Sequence, residues 1–242
     1  MSGHSKWATT KHQKFAADAK RSANFTKLAR MITVAARDGG GDPTANFKLR
    51  LCIDKAKQSN MPKDNIERAI KHGTGELGGA IIESVTYEAF GSHNAALVIE
   101  CLTDNRNRTV AEIKHILSRA GATFAGINSV LWMFTHQGVI RIAAAELTGD
   151  LDDLELKIIE LGAEDITREE EGWTIYTTPD NLPALKDGLD KLNLNLETAA
   201  IELIPTNKVS LPDENSRVKM ENLIEALEDY DETENVYTNI DW

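Results

Sequence analysis

Basic side chains interleaved with aromatic rings and histidines are the chemistry-bearing residues of this 242-residue chain. Lys6, Lys11, Lys14, Lys20, Arg21, Lys27 and Arg30 stand against one carboxylate, Asp18, in the first thirty residues, a net charge of +6. Trp7, Phe15, His4 and His12 lie among them. Lysine and arginine displace counterions from a phosphate backbone, and an aromatic or imidazole face stacks on an unpaired base. The pattern is therefore that of a nucleic-acid contact. A basic segment also suits acidic lipid, but this one is too polar to bury an apolar face, so no membrane partner is expected.

The second set is Arg37, Lys48, Arg50, Lys55, Lys57, Lys63, Arg68 and Lys71. On a helix turning about 100° per residue, Lys48 and Lys55 fall opposite Arg50 and Lys57. Two opposed basic faces suit a phosphate grip better than a helix that reads base edges, so weak sequence discrimination is expected. Farther on, Asp104-Asn105-Arg106-Asn107-Arg108-Thr109 concentrates polar groups between a strand end and a helix start, where backbone amides favour an anion. Arg106 and Arg108 thus join the nucleic-acid candidates, although a turn plus helix cap explains the segment equally well.

Other chemistries fare worse. Gly73-Thr74-Gly75-Glu76-Leu77-Gly78 matches the dinucleotide glycine pattern, yet it follows a helical segment and precedes a strand, the reverse of the required order, and reads as a linker. There is no phosphate loop, serine elbow or paired histidine at metal spacing. His4, His12, His72, His93, His115 and His136 are scattered and read as solvated or capping groups. Acid runs such as Glu169-Glu170-Glu171, and Glu228-Asp229 with Asp231-Glu232, could bind Mg²⁺ but read as solvated faces. Cys52 and Cys101 have no partner at ligand spacing. No catalytic residue, cofactor or metal is expected; a Mg-dependent hydrolase and a pure protein-interaction scaffold remain the alternatives.

Charge divides the chain. Residues 1–72 hold fifteen Lys/Arg against six Asp/Glu, net +9, whereas residues 73–242 hold twelve against thirty-two, net −20. Such asymmetry points to a polyanion-binding part joined to a part that avoids polyanions or docks basic partners. Length favours two or three domains. No apolar run approaches the roughly 18 residues of a membrane helix, and the polar, basic opening argues against a secretory signal. A reducing cytoplasm is expected.

The elements that must position these residues follow from periodicity. Residues 1 to 16 have no period and read as a basic arm. Phe25, Leu28, Ala29, Ile32 and Ala36 form a helical stripe ended by Gly39-Gly40-Gly41. Asp42-Pro43 predicts the next helix start, ahead of Leu49, Cys52, Ile53 and Ala56, and Pro62 predicts a third, with Ile66, Ala69 and Ile70. After Gly78-Gly79 come strand candidates at 85–90, 95–102, 130–134, 139–142, 173–177, 199–204 and 236–240. Between them lie helical stripes at Val110/Ile113/Leu117, Leu151/Leu154/Ile158, Leu182/Leu185/Leu189 and Met220/Leu223/Ile224/Leu227, the first behind a Thr109/Glu112 capping box. The helix ends at Ala120-Gly121-Ala122 and Leu161-Gly162-Ala163 echo each other, which suggests two split βαβ units.

Several of these segments together resemble the YebC/PmpR family. The resemblance is carried by Gly3-His4-Ser5-Lys6-Trp7 with Lys11-His12 and Lys14, Asp18-Ala19-Lys20-Arg21, Gly39-Gly40-Gly41-Asp42-Pro43 with Asn46, Asn60-Met61-Pro62-Lys63-Asp64, and Asp104 to Thr109. It spans the whole chain, and the motifs keep their order. One departure stands out. Where the family pattern runs Tyr-Glu-Gly-Tyr-Gly-Pro-Gly-Gly, this chain has Tyr87-Glu88-Ala89-Phe90-Gly91-Ser92-His93-Asn94, so a role of that loop that needs glycine freedom is not carried over.

The resemblance implies an α+β multidomain fold: a three-helix amino-terminal domain (1–78), an α+β domain from 79–136 with 206–242, and an inserted α+β domain at 137–205, both of the ferredoxin-like split βαβ type. It also implies a cytoplasmic, non-enzymatic protein, taken here as a monomer. In bacteria the family is described as probable DNA-binding transcriptional regulators. Mitochondrial relatives are translational activators of cytochrome oxidase, and bacterial members have been linked to ribosomes stalled on proline-rich chains. The nucleic-acid-binding candidates are His4, Lys6, Trp7, Lys11, His12, Lys14, Lys20, Arg21, Lys27, Arg30, Lys63, Arg106 and Arg108, and the partner is DNA, ribosomal RNA or the ribosome.

Overall fold

The structure is a computed structural model that describes residues 18–242, with side chains from Asn24 onward. The described residues form two compact units, one built from 18–133 with 207–241, the other from 134–206 with Trp242.

The first unit opens with α1 (Asp18–Gly39), α2 (Phe47–Gln58) and α3 (Lys63–Gly73). Residues spaced three and four apart give each helix one apolar stripe, and the stripes meet in a core of Leu28, Ile32, Ala36, Leu49, Cys52, Ile53, Ala56, Ile66 and Ala69. Gly40, at φ +85°, lets the chain leave α1 through the left-handed region. At Gly73 a side chain is impossible, because a Cβ would lie 2.3 Å from the Thr33 carbonyl where α3 crosses α1.

The cap of α2 is not Asp42 but Asn46. Asp42 Oδ1 accepts from the Thr44 amide (2.9 Å) and hydroxyl (2.7 Å), closing a local turn that competes with helix formation. Asn46, 6% exposed, accepts from Leu49 N (3.0 Å) and donates Nδ2 to the carbonyls of Ala35 (2.7 Å) and Gly40 (2.8 Å). One amide thus starts α2 and ties it to the end of α1.

Beyond the bundle, β1 (Glu83–Phe90), β2 (Ala96–Thr103), β3 (Thr123–Phe124) and β9 (Thr233–Thr238) form an antiparallel sheet in the order β3-β1-β2-β9. Helix α4 (Arg106–Arg119) links β2 to β3, and α7 (Glu214–Asp229) precedes β9. A two-residue parallel pair, β8 (Val209–Ser210) with β10 (Ile240–Asp241), completes the unit. Between β1 and β2, His93 (φ +56°) and Asn94 (φ +59°) adopt left-handed backbone without being glycine, at some conformational cost.

In the second unit the chain runs β4 (Phe134–Ala143), α5 (Leu151–Glu160), β5 (Asp165–Glu169), β6 (Gly172–Thr177), α6 (Leu182–Lys191) and β7 (Thr198–Pro205). The order β5-β6-β4-β7, antiparallel throughout, is the ferredoxin-like βαββαβ arrangement. The first sheet reaches the same layering by a different chain order.

The helix ends that echo in sequence echo in geometry. Gly121 and Gly162 both have positive φ, and the amides of Ala122 and Ala163 reach back to Leu117 O (2.9 Å) and Ile158 O (3.3 Å). Two expected strands, 130–134 and 139–142, become one ten-residue β4 preceded by a 3₁₀ turn at Leu131–Met133.

Candidate nucleic-acid interface

His4, Lys6, Trp7, Lys11, His12 and Lys14 lie outside the described residues, as do the side chains of Lys20 and Arg21. The first basic groups whose geometry is defined belong to α1. Lys27 donates to the Glu228 carbonyl at the end of α7, and Arg30 Nη1 donates to the Asp231 carbonyl at 2.7 Å. Both cations meet main-chain acceptors where a helix C-terminus carries partial negative charge, so they hold the bundle against the sheet. Arg37 does similar work, donating to the Ile82 carbonyl and pairing with Asp38.

Helix α2 keeps its two basic faces apart. Lys48 and Lys55 are exposed and act electrostatically on Glu234 of β9, whose carboxyl burial pushes upward, with Glu100 adding to the rise and the two lysines opposing it. Arg50 lies over the Phe47 ring at 5.1 Å, and with Lys57, Asp54, Pro43, Thr44 and Ile53 it lines a shallow cleft. Lys57, Lys63, Arg68 and Lys71 are exposed, Lys63 reaching Glu67 at 3.5 Å in a pair of little energetic weight.

The Asp104–Thr109 segment is organised by the protein itself. Asn105, not Thr109, caps α4, its side chain accepting from Arg108 N at 3.1 Å. Thr109 is fully buried one turn later, so no Thr109/Glu112 box forms; its hydroxyl bonds Thr103 Oγ1 (2.7 Å) and the Glu232 carboxylate. Glu232 also accepts from Arg108 and from the Tyr230 hydroxyl (2.8 Å). Only 4% exposed, it departs from the solvated acid face expected for it. Burial pushes the Glu232 carboxyl up, but hydrogen bonds from Thr109, Arg108 and Tyr230 outweigh this and leave it below its ordinary value. Arg108 pairs further with Asp104 at 2.6 Å, and Arg106 pairs with Glu83. These two arginines are already matched by carboxylates.

A Ser–His–Asp cluster occurs at the start of α7, but its wiring is that of a cap. Ser216 Oγ donates to Asp213 Oδ2 (2.9 Å), the same aspartate accepts from Ser216 N (2.9 Å), and His93 Nε2 sits 3.0 Å from the hydroxyl. The carboxylate holds the serine instead of orienting the histidine, which is not a nucleophile's arrangement. The thiols are equally unsuited to chemistry: burial pushes Cys52 to about 11 and Cys101 to about 12. Among the described residues no helix is long and apolar enough to cross a membrane.

Two family models cover this chain. One, described as the TACO1/YebC protein N-terminal domain, matches residues 5–76, and the other, the TACO1/YebC second and third domain, matches 82–240. The chain belongs to the TACO1/YebC family. Relatives of this TACO1/YebC chain include a "Probable transcriptional regulatory protein" of Halothermothrix orenii, 46% identical over all of this chain and 95% of that protein. A protein of the same name from Chlorobaculum tepidum is 47% identical, with the same coverage. The crystal structure of a conserved hypothetical protein from Aquifex aeolicus superposes with a TM-score of 0.86 at 40% identity, covering 95% of this chain and 93% of that one.

Proposed function

We propose that this TACO1/YebC protein is a non-enzymatic, nucleic-acid-binding regulator of gene expression whose basic amino-terminal part grips phosphates. The carrying observation is the segregation of charge, +9 in residues 1–72 against −20 in the rest, with Lys48, Lys57, Lys63, Arg68 and Lys71 exposed on α2 and α3. The names of the relatives favour transcriptional regulation, for which DNA is the proposed partner. The opposed basic faces of α2 favour a second reading, a translation factor on structured RNA or the ribosome, because such faces hold phosphates without offering one helix to a major groove.

In this reading the arm residues His4, Lys6, Trp7, Lys11, His12 and Lys14, with Lys20 and Arg21, make the primary contact. Lys63 adds to it. Lys27, Arg30, Arg106 and Arg108 are assigned instead to holding the fold. Cytoplasmic location and a monomeric state complete the proposal. Titration against DNA and RNA at matched salt, beside ribosome co-sedimentation, tests it. Affinity falls steeply with salt, preference for any promoter over random duplex stays within about tenfold, and structured RNA binds as well or better. A salt-independent affinity overturns the phosphate grip. A roughly thousandfold operator preference without ribosome association overturns the RNA reading in favour of a literal transcription factor.

A further inference from the structure

One buried carboxylate shapes a loop around itself. Glu88, on β1 and 5% exposed, accepts the amides of Asn128 (2.6 Å), Val130 (2.6 Å) and Leu131 (2.9 Å), and its own carbonyl accepts from Ala125 N at 2.8 Å. Asn128 turns through φ +62° and Val130 is fully buried, so the loop from Ala125 to Met133 is fixed at both its backbone and its centre. What it holds outward is apolar: Ile127 is 91% exposed and Trp132 67%. Trp132 Nε1 already donates to the Ser129 carbonyl at 3.0 Å, so the indole offers ring faces, not a donor. Two large apolar groups held in water by a rigid loop call for a partner.

Charge identifies its chemistry. Residues 73–242 hold thirty-two carboxylates, yet residues 113–145, which include the loop, hold none. The same stretch carries Lys114 and Arg119, and Lys114 Nζ sits 4.8 Å over the ring of Phe124, the strand residue that leads into the loop. An exposed aromatic platform carried by a stretch that holds cations and no acid suits a base and its phosphate. Resting on the nucleic-acid reading above, we infer that Trp132 is a stacking platform for an unpaired base, positioned by Glu88.

The test uses the full chain with a short single-stranded oligoribonucleotide of mixed sequence, its deoxy counterpart and the duplex. Trp132→Ala, at a surface position and checked by circular dichroism, weakens both single strands about tenfold, while Trp132→Phe recovers most of the loss. The slope of log affinity against log salt stays unchanged, because no phosphate contact is removed, and duplex binding is unaffected because its bases are already stacked. A loss confined to RNA assigns the source as RNA; an equal loss assigns any unpaired strand. Single-strand affinity within about twofold of the parent, the result for a protein-docking loop, overturns this inference while salt-dependent binding by the intact chain leaves the proposed function standing. An equal loss on duplex, or no recovery with Phe, also overturns it. If the intact chain binds no nucleic acid, both fall.

Discussion

Replacing Glu232 by Gln tests whether the Asp104–Thr109 segment is a structural device or a waiting anion site. The carboxylate accepts from the Thr109 hydroxyl, Arg108 and the Tyr230 hydroxyl, and hydrogen bonds to a charged group contribute about 1.5–3 kcal/mol each. The sum is discounted for three reasons. Arg108 is 54% exposed and regains water, so its share is small. Thr109 keeps Thr103 and the Asn105 carbonyl as partners. Glutamine retains one acceptor oxygen. The expected loss is about 2 kcal/mol at neutral pH, or roughly 1 M in urea midpoint. Hydrogen exchange at the Thr109 amide, bonded to Asn105 O at 3.1 Å, localises the change to the start of α4. The pH dependence has a definite sign. The folded carboxyl lies below its ordinary value of 4.5, so its stabilisation is full above that pH and is lost as pH falls through the folded value. Parent and variant therefore converge in acid. A loss under about 0.5 kcal/mol at neutral pH, or one equally large in acid, refutes the reasoning.

Arg108→Ala lowers stability but leaves the salt slope of nucleic-acid binding unchanged, measured by anisotropy across a salt series; a shallower slope returns Arg108 to the contact set. Asn46→Ala removes a helix cap and the bonds to the Ala35 and Gly40 carbonyls, and costs about 2 kcal/mol or more by urea unfolding. Cys52 and Cys101, buried and raised to about 11 and about 12, do not react with a thiol reagent at neutral pH until the chain is unfolded.

The helices were legible because burial follows the 3.6-residue period: Leu28, Ile32, Leu49, Ile113, Ile158, Leu182 and Leu227 are all at most 1% exposed. Starts were less legible where two short polar residues compete. Asp42 and Asn46 both suit a cap, and the choice rests on Asn46 reaching Ala35 O, a contact eleven residues away that no local pattern encodes. Strand β5 carries little sequence signal because Asp165-Ile166-Thr167-Arg168-Glu169 alternates around a single large aliphatic residue. It is an edge strand paired only with β6, and the Arg168 guanidinium packs 5.1 Å from the Trp173 ring. The candidate site was legible as composition and not as geometry. Charge counting marks Lys27, Arg30, Arg106 and Arg108, but which cation meets a carbonyl or carboxylate of its own chain depends on contacts across 23 to 201 positions. Glu88 falls in the Tyr87–Asn94 segment that the family pattern covers, but nothing in that pattern points to the loop it holds, and Trp132 belongs to no motif; the one sequence signal for the loop is the missing acid along it.

The number of phosphate contacts follows from these assignments. With Lys27, Arg30, Arg106 and Arg108 given to the fold, residues 1–30 leave Lys6, Lys11, Lys14, Lys20 and Arg21 for the polyanion. Each neutralised phosphate on a duplex contributes about −0.9 to the slope of log affinity against log salt, so these five predict roughly −4.5 before the exposed lysines of α2 and α3 add their part. Deleting residues 1–16 removes three of the five, and the slope then becomes shallower by about 2.7 on duplex and about 2 on a single strand. The measurement is a salt titration of both forms against one labelled duplex and one labelled single strand. A change close to zero means that the arm makes no phosphate contact and that the grip belongs to α2 and α3. A change well above 3 means that the arm also orders cations elsewhere, beginning with Lys20 and Arg21.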